Sequence, residues 1–363
     1  MKIRHLLLMT AGLLLFVMSS CSSKHQETAS RWTEDQANQW YEKMPWMAGC
    51  DYITSDAINQ IEMWSKDTYN AKQIDKELGW AQNIGFTTLR VYLSSVVYEN
   101  DPEGLKQRMD NFLGICKKHA IRPLFVFFDD CWNPESKYGK QPAPKPGIHN
   151  SGWVQDPSVS LRKDTVTLYP KMEKYLKDIL TTFGKDNRVL LWDLWNEPGN
   201  SNHFATTLPL LKNVFKWARE VNPSQPISSG IWNQDEKFRS LNAFQLENSD
   251  VITYHNYKDV TDHQTEIKYL QMFNRPLICT EYMARKHNSL FKTILPLLKA
   301  NKIAAINWGF VSGKTNTIFA WDEPLPNVKE PKLWFHDIFR QNGTPFDQAE
   351  INIIKANTLG TKK

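Results

Sequence analysis

The chain has few features that would suggest a metal ion, a nucleic acid or a dinucleotide as its ligand. Its five cysteines are far apart and lack CxxC or histidine-containing spacing, so a metal site has no support. No glycine-rich phosphate loop follows the first predicted strand, which disfavours a doubly wound nucleotide-binding sheet. Acidic and basic residues alternate, and the formal charge of +5 includes Lys2 and Arg4, so no nucleic acid partner is expected. We therefore expect neither a metal ion nor a cofactor.

Long hydrophobic runs are also scarce, and the clearest one lies at the N-terminus. Residues 6–18 are mostly apolar and follow Lys2 and Arg4, but the run is too short to cross a bilayer as a mature helix. We interpret residues 1–20 as a signal peptide. The run ends in Met18-Ser19-Ser20-Cys21, which resembles a bacterial lipobox, and an ordinary signal peptide with an incidental cysteine is the alternative.

Lipidation of Cys21 would make this cysteine the first residue of an exported lipoprotein. Residues 21–31 are then a polar tether, and residues 32–363 form one soluble domain, since no second linker or low-complexity run follows. The expected location is the outer membrane, on its periplasmic side or at the cell surface. The expected protein is a monomer that contacts the membrane only through its N-terminal lipid.

Strand-like and helix-like segments alternate along this domain. The predicted strands are Trp46–Tyr52, Phe86–Leu93, Leu124–Phe128, a fourth that leads to Glu197, Pro226–Trp232, Asp250–His255, Pro276–Thr280 and Ile303–Trp308. The predicted helices include Ala71–Asn83, Gly104–His119, Leu168–Phe183, Leu208–Val221 and a closing helix at Leu333–Phe339. Eight strand-helix units predict the α/β class and a single (β/α)8 TIM barrel.

Two glutamates end apolar, strand-like runs and are candidates for catalysis. Glu197 follows Val189-Leu190-Leu191-Trp192, and Glu281 follows Pro276-Leu277-Ile278-Cys279. Groups at the carboxyl ends of parallel strands converge on one pocket, so the two carboxyls are expected to face each other. A pair about 5 Å apart is the arrangement of a retaining glycosidase.

The chain is rich in aromatic residues, with 14 Trp, 12 Tyr and 18 Phe. Aromatic rings at strand ends are candidates for sugar contact, because this is where a barrel places its cleft. The tryptophans in such positions are Trp132, Trp195, Trp232, Trp308 and Trp321.

Several strand ends together carry a family resemblance. They are Arg90, Asn196-Glu197-Pro198, His255-Asn256-Tyr257, Glu281 and Trp308. In this order they resemble clan A retaining glycoside hydrolases, most of all the cellulase-type family 5, of the kind found in secreted Bacteroidota lipoproteins. The resemblance implies that Glu197 is the general acid/base, that Glu281 is the nucleophile, and that Asn196 donates to the sugar 2-hydroxyl.

The same resemblance implies roles for the remaining strand-end residues. Arg90 supports the nucleophile, His255 and Tyr257 lie in the cleft near the glutamates, and Trp308 is the platform under the cleaved sugar. From the residues alone, the alternative for Arg90 is a barrel-interior arginine paired for stability, and Asp193 is expected to pair inside the barrel.

The third strand departs from the family pattern. Asp129-Asp130-Cys131-Trp132 replaces a histidine-containing element, and a long Pro-rich loop follows, to about residue 156. We expect this loop to form one wall of the cleft and to hold His149, Trp153 or Gln155 against the sugar. The resulting short cleft should favour oligosaccharides or chain ends over long internal chains.

The substrate class follows from these residues only in part. The candidate substrate is a β-linked oligosaccharide or polysaccharide of the β-glucan, β-mannan or xylan type, cleaved by double displacement. A transglycosylase with the same mechanism and a non-catalytic glycan-binding lipoprotein are the alternatives.

Overall fold

The computed structural model describes residues 30–360, which form a parallel β-barrel surrounded by helices. The predicted signal peptide, Cys21 and most of the predicted tether lie outside the described residues. The strands are Ala48–Asp51 (β1), Thr88–Tyr92 (β2), Arg122–Asp129 (β3), Trp192–Asn196 (β4), Ile227–Ser228 (β5), Ile252–His255 (β6), Leu277–Glu281 (β7) and Ala304–Asn307 (β8).

The helices alternate with the strands, as predicted. They are Glu34–Glu42 (α1), Gln60–Trp64 (α2), Ala71–Asn83 (α3), Ser95–Asn100 (α4), Pro102–Lys118 (α5), Val159–Arg162 (α6), Thr165–Phe183 (α7), Leu208–Val221 (α8), Arg239–Asn248 (α9), Val260–Gln271 (α10), Phe291–Ala300 (α11) and Gln348–Thr358 (α12). Short 3₁₀ turns occur at Phe204–Thr207, Glu236–Phe238 and Arg285–His287. None of the helices within residues 30–360 is both long and apolar enough to cross a membrane.

The strands pair in the order β5-β4-β3-β2-β1-β8-β7-β6, and every pairing is parallel. Between β5 and β6 the barrel is closed by an isolated parallel bridge of Ile231 with Tyr254. Ile231 N donates to Thr253 O at 3.0 Å and accepts at its own carbonyl from His255 N at 2.9 Å. The predicted (β/α)8 barrel is therefore confirmed.

Sequence signals set the helix boundaries, as α5 illustrates. Asp101 is its N-cap and accepts from Gly104 N at 3.1 Å, Pro102 occupies the first turn, and Lys117 and Lys118 lie in the last turn. The residues buried along one face of α5 are Leu105, Met109, Phe112, Leu113 and Cys116. This apolar stripe packs the helix onto the barrel.

The amino-terminal end of the barrel is covered by α1. Ala37 of this helix and the neighbouring Met47 pack with barrel residues such as Leu124 and Ile278 in one buried cluster, against which Trp40 is partly buried. With this end filled, the carboxyl ends of the strands are left for a site.

The predicted closing helix at Leu333–Phe339 is wrong. This segment is irregular because its backbone donors bond to another segment instead of to the preceding turn: Phe335 N donates to Ile318 O at 2.8 Å, and Ile338 N to Phe310 O at 3.0 Å. The closing helix is α12, which begins after its N-cap Asp347.

Candidate active site

The barrel interior below the site is organised around Arg90 of β2. Arg90 is fully buried and donates to Asp193 Oδ2 (Nε, 2.9 Å), to Asp51 Oδ1 (Nη1, 3.0 Å) and to Glu281 Oε1 (Nη1, 2.7 Å). The two roles considered for Arg90 thus coexist, because the same guanidinium pairs with carboxylates of three strands and fixes Glu281. Asp193 pairs inside the barrel, as predicted.

Glu281 ends β7 and is held by three donors. Its Oε1 accepts from Arg90 and, at 3.1 Å, from the hydroxyl of Tyr92, whereas its Oε2 accepts from the hydroxyl of Tyr257 at 2.6 Å. Donors of this kind stabilise the negatively charged carboxylate and fix its orientation. Burial raises the pKa of both phenols well above the ordinary value, so they stay protonated as donors.

Glu197 follows β4 with φ of 44°, in the left-handed region, where a residue with a Cβ is strained by about 1–2 kcal/mol. This turn directs the side chain toward Glu281. Its Oε1 lies 2.9 Å from His255 Nδ1, and its Oε2 accepts from Cys131 Sγ at 3.2 Å and from the amide of Asn200. Burial raises the pKa of Glu197, although the bonds from Cys131 and Asn200 oppose that rise.

The two glutamates and His255 form one tight cluster. One carboxylate oxygen of each glutamate and one ring nitrogen of His255 all lie within 4.8 Å of one another. The spacing of the carboxyls agrees with the retaining geometry expected from the sequence. The spacing also suits a metal ion, but both oxygens of Glu281 already accept hydrogen bonds from Arg90, Tyr92 and Tyr257.

His255 is uncharged in this cluster. It is buried, and burial lowers its pKa to about 3 despite the opposing effect of Glu281. An uncharged imidazole adds no positive charge beside the two carboxyls.

Asn196 is fixed from both sides of its amide. Its Oδ1 accepts from Arg90 Nη2 at 2.8 Å, and its Nδ2 donates to Asp129 Oδ1 at 2.9 Å. The other oxygen of Asp129 accepts from Trp153 Nε1 at 2.7 Å. Burial raises the pKa of Asp129 to about 7, and these hydrogen bonds counteract part of that effect.

The cluster opens into a cleft with a volume of about 1270 Å³. The predicted site residues that line it are Asn196, Glu197, His255, Tyr257, Glu281, Trp308 and Trp132. Trp232 and Trp321 also line it, whereas Arg90 lies beneath. The expectation for Trp195 was wrong: its side chain is fully buried in the main core, where its ring centroid lies 5.1 Å from that of Phe128.

Two segments form one end of the cleft. The first, the β3 loop, is residues 130–158, and the second, the β8 segment, is residues 308–347. The backbones of the two segments join where Asn150 N donates to Thr315 O at 2.8 Å and Leu325 N to Gly147 O at 3.0 Å. Gly147 is required there, because its φ is +67° and a Cβ would lie 1.9 Å from Leu325 O.

The β3 loop is also tied to the segment that follows β1. The amide of Asn59 donates to Gly152 O at 2.8 Å, and that of Gln60 to Val154 O at 2.7 Å. The loop forms one wall of the cleft, as expected, and His149 and Trp153 are part of the cleft lining. Gln155 instead lies outside the lining and bonds to Trp132 O and His203.

Sequence reasoning missed four residues of the site. Tyr92, two residues after Arg90 on the same strand, carried a signal, because alternate strand residues share a face. Cys131, Asn200 and His336 carried none, since their contacts depend on how loops pack.

Comparison with solved structures finds many proteins of the same fold. The exo-β-1,4-mannosidase from Opitutaceae bacterium strain TAV5 is 17% identical, with a TM-score of 0.62, and the match covers 92% of this chain but 62% of that one. The endo-1,4-β-mannanase from Rhizomucor miehei is 13% identical, with a TM-score of 0.55 and coverage of 87% and 98%. GH5_18 from Streptomyces cattleya in complex with GlcNAc is 9% identical, with a TM-score of 0.59 and coverage of 87% and 81%.

A comparison with curated protein sequences gives no match. The model of the cellulase family, glycosyl hydrolase family 5, matches residues 38–313, which is most of the chain. The chain therefore belongs to glycosyl hydrolase family 5 and is a retaining glycoside hydrolase.

Proposed function

We propose that this protein removes single sugars from the non-reducing ends of β-linked glycans. In the proposed reaction the Glu281 carboxylate attacks the anomeric carbon, while protonated Glu197 gives its proton to the departing glycosidic oxygen. Water then attacks the glycosyl-Glu281 ester, and Glu197 takes the proton from that water. The released sugar keeps the β configuration.

The electrostatics of the cluster suit both steps. Three hydrogen bonds stabilise the charge of Glu281 before attack, and the raised pKa of Glu197 favours the acid form. Once Glu281 is esterified, its negative charge is gone, so Glu197 releases its proton more readily and acts as a base.

The single observation that carries the chain-end specificity is the join between the β3 loop and the β8 segment. Because Glu197 protonates the leaving group in the proposed reaction, the leaving group lies on the side of Glu197, toward Trp232 and Lys258. The retained sugar then lies at the other end of the cleft, which the β3 loop and the β8 segment form together and which we call the joined end. There the join lies across the path that a longer chain would follow over β1 and β2. Within residues 30–360, the segments directly after β1 and β2 contribute nothing to the cleft lining.

An assay panel tests this proposal. It should contain aryl β-glycosides and defined oligosaccharides, with β-mannosides first, because two of the structures of the same fold are named for that linkage, beside β-glucan and xylan. NMR should show the β-anomer as the first product. An initial α-anomer would refute the retaining roles of Glu197 and Glu281, and larger initial products would refute chain-end action.

We also propose that the protein is exported and anchored through lipidated Cys21. The support is the lipobox-like sequence Met18-Ser19-Ser20-Cys21 and the apolar run before it. Mass spectrometry of the protein from membranes should find an acylated Cys21 at the N-terminus. A Cys21→Ser variant should leave the membrane fraction, and an unmodified, membrane-retained variant would contradict the anchor.

A further inference from the structure

Two histidines at the joined end of the cleft have unusual hydrogen bonding. His149 belongs to the β3 loop and His336 to the β8 segment, and their ring centroids are 5.4 Å apart. His149 Nδ1 lies 2.8 Å from Phe319 O, and His336 Nδ1 lies 2.5 Å from Met283 O. A backbone carbonyl only accepts, so each Nδ1 carries the hydrogen.

The second nitrogen of each ring is therefore a free acceptor. In a neutral imidazole with hydrogen on Nδ1, the Nε2 atom presents a lone pair. Burial lowers the pKa of His149 to about 4 and that of His336 well below its ordinary value, so both rings are uncharged near neutral pH. Neither Nε2 atom has a hydrogen-bond partner in the part of the chain that the structure describes, and that of His336 is fully buried.

Both rings line the cleft and are at least nine-tenths buried. A buried acceptor without a partner costs free energy, and a ligand that donates a hydrogen bond would recover it. The pair is also close to the reacting centre. The ring of His336 lies 5.5 Å from that of Tyr257, whose hydroxyl bonds to Glu281.

Aromatic rings flank the pair on both sides. The ring centroid of Trp132, which is 40% exposed, lies 5.3 Å from that of His149, and the ring centroid of Trp321 lies 5.3 Å from that of His336. Rings of this kind pack against the apolar faces of a sugar, while its hydroxyls are left to meet polar groups.

We propose that His149 and His336 form a recognition site for the terminal sugar, in which their Nε2 atoms accept hydrogen bonds from its hydroxyl groups. The inference rests on the proposed chain-end function and names the chemistry selected there. The terminal sugar must be a neutral sugar with free hydroxyls. Uronic acids and O-methylated sugars offer fewer donors, so the site disfavours them. Because the two histidines come from the two joined segments, the site exists only while these segments are joined.

The test combines modified substrates with histidine variants. The unmodified protein is assayed on a preferred aryl β-glycoside and on derivatives that each lack one hydroxyl of the sugar. At least one deletion should lower kcat/KM by about 5- to 10-fold, as expected for the loss of one hydrogen bond. His336→Phe and His149→Phe should lower kcat/KM similarly on the full sugar, and in the matching variant the deletion should have no further effect.

His119→Phe is the matched control, because His119 bonds to Asp75 and Gln82 away from the cleft. It should keep the full sensitivity to hydroxyl deletion. Equal sensitivity in the His149 and His336 variants and in the control would overturn the inference, as would an unmodified protein that is indifferent to every deletion. If the unmodified protein releases no terminal sugar from oligosaccharides, the proposed function fails instead.

Discussion

The two ends of the cleft differ in how their residues are held. The joined end is formed by two loops that bond to each other and to the segment after β1, and its lining residues His149, Asn150 and His336 are buried. The opposite end is lined by residues after β5 and β6, among them the exposed Asp235, Asp262 and Tyr269. In the proposed reaction, the joined end holds the terminal sugar and the opposite end admits leaving groups of different length.

Chemistry takes place at the boundary between these ends. In the proposed reaction, Glu281 lies beneath the retained sugar and Glu197 lies on the side of the leaving group. Changes at the two glutamates, at each end and around Glu197 should therefore affect different properties of the enzyme.

The largest expected effects come from the glutamates. Glu281→Ala should lower kcat on every substrate by about 10⁴-fold or more, because the covalent intermediate cannot form. Glu197→Ala should lose about 10²- to 10⁴-fold on oligosaccharides but much less on aryl glycosides, whose leaving group needs little protonation, and azide should rescue it. Rescue of Glu281→Ala by azide with an inverted product, together with an inactive Glu197→Ala, would reverse the two roles.

Opening the joined end should change substrate choice. Replacing residues 142–149 with a short Gly/Ser linker removes Gly147, His149 and their bonds to the β8 segment. Activity on long polymer relative to short oligosaccharide should rise by about 10-fold, since extended chains could then pass over β1 and β2. Thermal unfolding checks that the barrel survives. An unchanged activity ratio in a folded variant would show that the loop does not limit chain length.

The open end should respond to chain length and not to the terminal sugar. Tyr269 is 43% exposed and lines this end, so Tyr269→Ala should raise KM for longer oligosaccharides by about 3- to 10-fold while leaving small aryl glycosides unchanged. Met272→Ala is the matched control, because Met272 is an exposed apolar residue just after the same helix but does not line the cleft. Equal effects on all substrate lengths would remove Tyr269 from the binding of the leaving chain.

The smallest expected effect concerns pH. The thiol of Cys131 donates to Glu197 and favours its ionised form, so Cys131→Ala should raise the pKa of Glu197 further. Activity requires protonated Glu197 in the first step and falls as pH rises through this pKa. The basic limb of kcat/KM should therefore move upward by a few tenths of a pH unit, since a thiol is a weak donor. Cys131→Ser, which keeps a donor, should move it less. A downward shift in Cys131→Ala would contradict the assigned hydrogen bond.

The features that depend on strand periodicity were the ones best predicted from the sequence. The barrel and the convergence of Glu197 and Glu281 follow from apolar runs that end in polar residues, and α3, α5, α7 and α8 follow from apolar residues at helical spacing. The prediction that Trp195 contacts the sugar was wrong because a position near a strand end does not determine which way the side chain points. The prediction of a closing helix at Leu333–Phe339 was wrong because the spacing of Phe335 and Phe339 also suits an extended segment that bonds across a loop.

The rest of the site depends on contacts between distant loops. His336 meets His149 only because the β8 segment returns over the barrel and the β3 loop crosses to reach it. Cys131 acquires its bond to Glu197 from a turn after a different strand. Neither contact has a local sequence pattern, so only the folded structure shows them.

The most direct test of chain-end action is a time course on a β-linked hexasaccharide labelled at its reducing end. The joined cleft predicts free monosaccharide as the first unlabelled product and a labelled pentasaccharide as its partner, followed by successively shorter labelled chains. Early labelled di- or trisaccharide, formed before the pentasaccharide, would show that the chain passes through the joined end and would contradict the proposal.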